Sequence, residues 1–329
     1  MNAMILDIQR MSTEDGPGLR TTVFFKGCNL ACPWCHNPES IGVNPDLTWF
    51  SQRCMGCSMC VKACPQKAVS RTENGIGFNR PNCKLSYGKQ LSEGKQACGI
   101  CAKECPAAAI EVKGAAMDVE KLASELAKDK AYFGAEGGVT LSGGEALIQH
   151  EAVLELARLL KTEGLHIALD TAGCYDFHLL ETLLPCIDLV LYDIKIFDYE
   201  THKRLIGAGN DLILENYRRL IEHEIGVWVR TPIIEGATDS EKNIASIGNF
   251  IAECAAGRDS RLPEKWELCA FNNLCRDKYV RLDRQWAYSN TGLTDKAHIE
   301  KLTAIAARYV PGAVYTGTVK ETNHANFQE

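Results

Sequence analysis

From Thr21 the run TTVFFKGC is β-branched and aromatic and stops at a cysteine, which predicts a buried strand with a loop at its end. Beyond residue 113, short apolar runs alternate with stretches of helical spacing. The strand runs are GGVTLSGG, LHIALDTAG, IDLVLYDIK, GVWVRTPII and KWELCAF. Between them lie HEAVLELARLLKTEG, NDLILENYRRLIEHE and SEKNIASIGNFIAECA, preceded by MDVEKLASELAKDKAYF with Asp118 placed as an N-cap. With TTVFFKGC this makes about six βα repeats. Near-continuous apolar strands joined by helices predict a parallel sheet covered by helices, either an open doubly wound sheet or a full or partial barrel. Both architectures carry their sites at the C-terminal strand ends. Polar residues gather at those ends here: Gly143, Gly144 and Glu145; Asp170 and Thr171; Asp193 and Lys195; Arg230; Asn272.

Residues 53–112 break the alternation. They are short of periodic pattern, rich in cysteine, and read as an insertion. Eleven of the sixteen cysteines lie between Cys28 and Cys105. The N-terminus lacks the features of a signal peptide and no stretch has about 18 unbroken apolar residues, so a cytoplasmic protein without a membrane partner is expected. A reducing compartment does not keep disulfides, which points these thiols to metal or iron-sulfur ligation. Cys174, Cys186, Cys254, Cys269 and Cys275 are scattered singly and read as small core residues. A formal charge of -6 gives no diffuse basic surface for phosphates, which argues against nucleic acid as the main partner.

CMGCSMCVKACP places Cys54, Cys57, Cys60 and Cys64 before Pro65, the run of bacterial ferredoxins. KQACGICAKECP supplies Cys98, Cys101 and Cys105, but Lys95 stands where that run would begin, and Cys83 is the remaining cysteine of the insertion. The last cysteine of each ferredoxin run crosses to the other cluster. One [4Fe-4S] cubane is then expected on Cys54, Cys57, Cys60 and Cys105, and a second on Cys64, Cys83, Cys98 and Cys101. Paired structural zinc sites are the competing reading, but zinc has no need of the third CxxC step or of the CP ending.

Cys28, Cys32 and Cys35 form a separate triad in KGCNLACPWCHNPES. His36 directly follows Cys35, too close for the usual two-to-four-residue spacing of paired zinc ligands. A four-iron cluster on three thiolates instead leaves one iron without a protein ligand.

The Cys-x3-Cys-x2-Cys spacing after the first strand resembles the radical S-adenosylmethionine enzymes. DGPGLR (Asp15 to Arg20), CPWCHNPES (Cys32 to Ser40), TLSGGEAL (Thr140 to Leu147), LDTAG (Leu169 to Gly173) and LYDIK (Leu191 to Lys195) narrow the resemblance to the glycyl radical enzyme activating enzymes, over nearly the whole chain. It implies a partial (β/α)6 TIM-like barrel in residues 1–50 and 113–329, with a ferredoxin-like two-cluster domain inserted at 51–112. It further implies a third, catalytic [4Fe-4S] cluster on Cys28, Cys32 and Cys35 that binds S-adenosylmethionine and cleaves it reductively, giving a 5'-deoxyadenosyl radical that takes hydrogen from a glycine of a partner enzyme.

Carried over position by position, Trp34, Cys35 and His36 would lie beside the cofactor, and Gly143, Gly144 and Glu145 would receive its amino group. Asp170, Thr171 and Asp193 would hold a monovalent cation, with Ile194 and Lys195 close by, and Arg230 would pair with the methionine carboxylate. Asn272 stands where several members have a histidine, and it cannot become an imidazolium. Singly, each residue has an ordinary structural role; together, at successive strand ends, they make a site.

The branch with such an insertion activates decarboxylases, dehydratases, lyases and hydrocarbon-succinate synthases. The expected partners are a glycyl radical enzyme, an aryl- or alkylsuccinate synthase or an arylacetate decarboxylase by preference, and a low-potential reductant such as flavodoxin or ferredoxin. Two rival readings are a radical S-adenosylmethionine enzyme acting on a small molecule and a ferredoxin-type electron-transfer protein.

Overall fold

A computed structural model describes residues 1–83, 85, 98–257 and 261–318; Lys95 lies outside them. The chain is a mixed α/β fold built on one large sheet of nine strands. Seven of these run parallel: β2 (Arg20–Phe25), β8 (Gly138–Gly143), β9 (His166–Thr171), β10 (Leu189–Asp193), β11 (Gly226–Ile233), β12 (Lys265–Ala270) and β13 (Ala313–Thr316). They follow each other in chain order across the sheet. The edge beyond β2 is finished by β1 (Asn2–Ser12) and β7 (Ala115–Asp118), both added antiparallel.

The six strands expected from the apolar runs are all present. Their central positions are sealed: Val23, Val139, Leu141, Ile167, Leu169, Val190, Leu191, Val229 and Leu268 have no exposed surface. Burial on both faces is what removes the alternation from such strands. Helices α3 (Val119–Ala127), α4 (His150–Thr162), α5 (Phe177–Leu183), α6 (Tyr199–Ile206), α7 (Asp211–Leu220), α8 (Glu241–Ala255) and α10 (Lys296–Ala306) connect the strands. Leu122, Leu126, Leu156, Leu160, Ile244, Ile247, Ile299 and Leu302 bury the apolar stripes of four of them in one core with the sheet. Asp118 caps α3 by accepting from the backbone N–H of Lys121 at 3.1 Å.

Between β2 and β7 the chain leaves the large sheet. Strand β3 (Asp46–Trp49) pairs antiparallel with β6 (Ile110–Lys113), and β4 (Val69–Thr72) with β5 (Gly75–Phe78). Two short helices, α1 (Met59–Ala63) and α2 (Ile100–Lys103), pack together there. Leu47, Cys60, Val69, Ile76, Leu85, Cys101 and Ile110 form a small core of their own. Helix α9 (Arg276–Arg281) lies against β3 and the loop after β2. No helix among the described residues is long and apolar enough to cross a membrane.

Candidate active site

The C-terminal ends of the parallel strands open on a cavity of about 420 Å³, inside the range of about 300–1,000 Å³ typical of cofactor pockets. Cys28, Cys32 and Cys35 line it from the loop after β2, as do Trp34 and His36. Gly143, Gly144, Asp170, Thr171, Asp193, Lys195, Arg230 and Asn272 line it from the strand ends. Two expected members do not reach the cavity wall. Glu145 turns its carboxylate away to accept from the Thr171 hydroxyl at 2.9 Å and the Ala172 N–H at 3.0 Å. Ile194 is buried, and its N–H donates to the Arg230 carbonyl at 3.0 Å.

The glycines are there because the backbones nearly touch. A Cβ on Gly143 would sit 2.2 Å from the Phe25 carbonyl oxygen, and one on Gly144 the same distance from that of Gly27. Gly143 also has φ +131°, which side-chain-bearing residues rarely adopt. This close approach brings the triad loop against β8: the N–H of Glu145 donates to the Gly27 carbonyl at 2.7 Å and that of Gly144 to the Phe25 carbonyl at 3.1 Å.

Charges of both signs face the cavity. The Lys195 ammonium lies 2.6 Å from Asp193, and the Asp170 carboxylate accepts from the Ser142 hydroxyl at 2.6 Å. Register sets Asp193, Arg230 and Glu267 side by side on β10, β11 and β12. Arg230 reaches Glu267 at 3.0 Å and Asp170 at 3.7 Å, and donates to the Glu14 carbonyl at 3.1 Å. Desolvation raises Asp170 to about 6; Arg230 opposes the shift and Asp193 adds to it. Desolvation would lower Lys195, but Asp193, Cys32 and Asp170 hold it above its ordinary value.

Burial pushes Cys28 up to about 11 and Cys35 to about 12, and raises Cys32 as well. Three such thiols ionise only if a cation or cluster takes up their charge, so filling this donor set releases protons. The soft, all-thiol donor set fits iron-sulfur ligation.

The insertion's eight cysteines separate into two further groups. Cys54, Cys57, Cys60 and Cys105 line one small apolar cavity; Cys64, Cys83, Cys98 and Cys101 line another.

Several residues at the site carry no motif. Glu14, Cys269, Thr316 and Gly317 line the cavity, and Glu267 backs Arg230. The α9 segment grips the triad loop from outside. Tyr279 donates to the Cys35 carbonyl at 2.8 Å, Trp286 to that of Pro33 at 3.1 Å, and Arg284 to that of Pro38 at 3.0 Å. Lys278 donates to the Asn37 side chain at 2.7 Å.

The Radical SAM superfamily model matches residues 95–246, and a 4Fe-4S binding domain model matches residues 47–70. The indoleacetate decarboxylase activating enzyme of Tractidigestivibacter scatoligenes is 36% identical over 93% of this chain and 94% of its own. The trans-4-hydroxy-L-proline dehydratase activating enzyme of Clostridioides difficile is 36% identical over 87% of this chain and 90% of its own. The chain belongs to the glycyl radical enzyme activating enzymes of the radical S-adenosylmethionine superfamily. A third activating enzyme, for (2S)-3-sulfopropanediol dehydratase in Klebsiella oxytoca, is 34% identical over 91% of this chain and 92% of its own. Among solved structures, a domain of pyruvate-formate lyase-activating enzyme from Bacteroides vulgatus aligns with 55% of this chain and 99% of its own at 26% identity and TM-score 0.45. In this activating enzyme the triad lies upstream of the stretch matched by the Radical SAM model, and residues 36–94 part the two.

Proposed function

We propose that this enzyme cleaves S-adenosylmethionine and uses the product radical to take a hydrogen atom from a glycine of a partner protein. The observation that carries the reading is the unequal sharing of eleven thiols. Two cavities have four each, while the cavity at the strand ends has the remaining three on one loop, beside both cations and carboxylates; Cys269, which also lines it, comes from β12 and stands against Arg230. When bound, a [4Fe-4S] cluster on the triad supplies an electron and an open iron for the cofactor.

The chain's own residues would bind and orient. Trp34, His36 and Phe271 offer flat surfaces for adenine, and the strand-end glycines let the backbone approach a cofactor closely. Arg230 and Lys195, set against Asp170 and Asp193, suit a zwitterion, with Arg230 matched to its carboxylate. Asp170 and Asp193 set two carboxylates at neighbouring strand ends, a fit for a monovalent cation to which Thr171 would contribute through its backbone, since its hydroxyl is taken by Glu145 at 2.9 Å. His36 packs edge-on to Phe271 at 6.1 Å between ring centres, so an imidazole stands beside Asn272 even though the strand itself has none. The division into a partial barrel at 1–50 and 113–329 and a ferredoxin-like unit at 51–112 with two further clusters accounts for the separate small core. The partner belongs with the decarboxylases or dehydratases named for the relatives, and we favour an arylacetate decarboxylase.

The test is anaerobic reconstitution followed by incubation with dithionite, S-adenosylmethionine and a candidate glycyl radical enzyme. The expected results are 5'-deoxyadenosine and a glycine-centred radical signal on the partner, both lost in Cys32→Ala. Deoxyadenosine that forms only when a small molecule is added would overturn the reading in favour of the small-molecule rival.

A further inference from the structure

Residues 51–112 hold nine basic against four acidic side chains, a formal +5. The whole chain stands at -6, so everything outside this segment sums to -11. An acidic protein has thus concentrated positive charge on the unit that carries eight of its cysteines.

The charge coincides with exposed apolar surface. Met55 is 67% exposed, Met59 43% and Ile100 37%. Met59 and Lys62 stand three apart on α1, and Ile100 and Lys103 three apart on α2, so each helix presents one apolar and one cationic side chain on the same side. The two helices pack together, with Cys60 and Cys101 buried beneath them. Lys62, Lys67 and Lys103 are exposed and make no ion pair among the described residues. Glu104 is the acid nearest in sequence; Glu111 is taken by Arg53 at 2.7 Å and Lys113 at 2.9 Å. The cover over the thiols is thin here: Met55 and the exposed Cys57 line one four-cysteine cavity, and Ile100 lines the other.

We propose that this face, Met55, Met59 and Ile100 rimmed by Lys62, Lys67 and Lys103, is the docking surface for an acidic protein that carries one electron at a time. The inference rests on the proposed function, which needs an external reductant, and adds where that reductant binds. Exposed methionines and aliphatics supply the contact, and the lysines steer an oppositely charged carrier. The step is a bare electron transfer: the carrier is oxidised by one electron, an iron-sulfur cluster of the enzyme is reduced by one, and no bond or proton moves.

The experiment uses the reconstituted holoenzyme and reduced flavodoxin as the acidic probe. Bleaching of the cluster absorbance is followed at several carrier concentrations and ionic strengths, without S-adenosylmethionine. Lys62→Glu with Lys103→Glu should raise the half-saturating flavodoxin concentration about tenfold or more and flatten its salt dependence. Bleaching by dithionite should be unchanged. If the charge-reversed pair loses iron, Lys62→Gln with Lys103→Gln is read by the same measurement, with a smaller rise expected. Unchanged flavodoxin kinetics in the iron-replete variant would overturn the proposal. So would a salt-sensitive dimer abolished by the reversal, which would assign the face to the acidic surface of a second copy. Failure of the wild type to cleave S-adenosylmethionine with dithionite would count against the proposed function alone, since the bleaching assay does not depend on it.

Discussion

The hydroxyl of Tyr279 donates to the backbone carbonyl of Cys35 at 2.8 Å, across 244 residues of sequence. The Tyr279 ring stacks on Trp286 at 5.3 Å, and Trp286 in turn holds the Pro33 carbonyl. The third thiol of the triad therefore has its backbone fixed by a segment that follows the last strand end of the cavity wall but one.

Tyr279→Phe keeps the stacking and removes the hydrogen bond. It should cost about 1 kcal/mol of stability. It should also speed chelator extraction of iron from the triad severalfold while leaving the insertion's iron alone. Stopped-flow absorbance with and without Cys32→Ala separates the two pools, and equal extraction rates in Tyr279→Phe and wild type would remove the clamp from consideration.

Gly144→Ala tests the close approach directly. Its Cβ would be driven to 2.2 Å from the Gly27 carbonyl, where the obstacle is backbone and cannot swing aside. A loss of about 1–3 kcal/mol is expected, as for other overpacked sites. The displaced loop carries Cys28, so cofactor binding should weaken more than folding does. Isothermal titration beside thermal unfolding compares them; a variant that binds S-adenosylmethionine normally would make Gly144 a turn former and nothing more.

Much of this was legible because the signals are local. Apolar runs marked the six strands, and the polar residues at their ends, Glu145 apart, line one cavity. The three missed strands are short or peripheral: β13 is only four residues, and β1 and β7 add antiparallel at an edge. Glu267 was hidden inside the strand run KWELCAF, because its meeting with Arg230 depends on the register of two strands. The clamp was hidden for another reason. Helix α9 has six residues, too few for a helical period to show, and its contacts join residues over 240 positions apart. Glu145 illustrates the converse: its motif is plain in sequence, but only the fold turns its carboxylate towards Thr171.

Cys83 shares a cavity with Cys64, Cys98 and Cys101 and stands outside both compact cysteine runs. Cys83→Ser should lower the iron of the reconstituted enzyme by roughly a third if it closes one of three cubanes. Its partner arrangement predicts that Cys101→Ser gives the same loss and that the two substitutions together give no more. A double variant that loses two thirds of the iron would break the assignment of both to one cluster.

Glu145 offers a test by pH on the apoprotein. Burial raises its carboxyl from 4.5 to about 7, against the pull of its bonds from Ala172, Thr171 and Leu147 and with help from the charge of Asp170. Between about pH 4.5 and 7 the folded chain therefore holds a proton that the unfolded chain has released. Stability from this group is greatest at low pH, falls as pH rises through that window, and is level above it. The difference amounts to about 3 kcal/mol across the window. Asp170, raised to about 6, slopes the same way over a lower range, so the wild-type profile alone does not separate the two. Glu145→Gln removes only the upper part: its advantage over wild type should grow from pH 5 to pH 8, read as the difference in urea midpoint at each pH. A constant difference across that range would mean that Glu145 is already ionised at pH 5 and that its burial is offset by its hydrogen bonds.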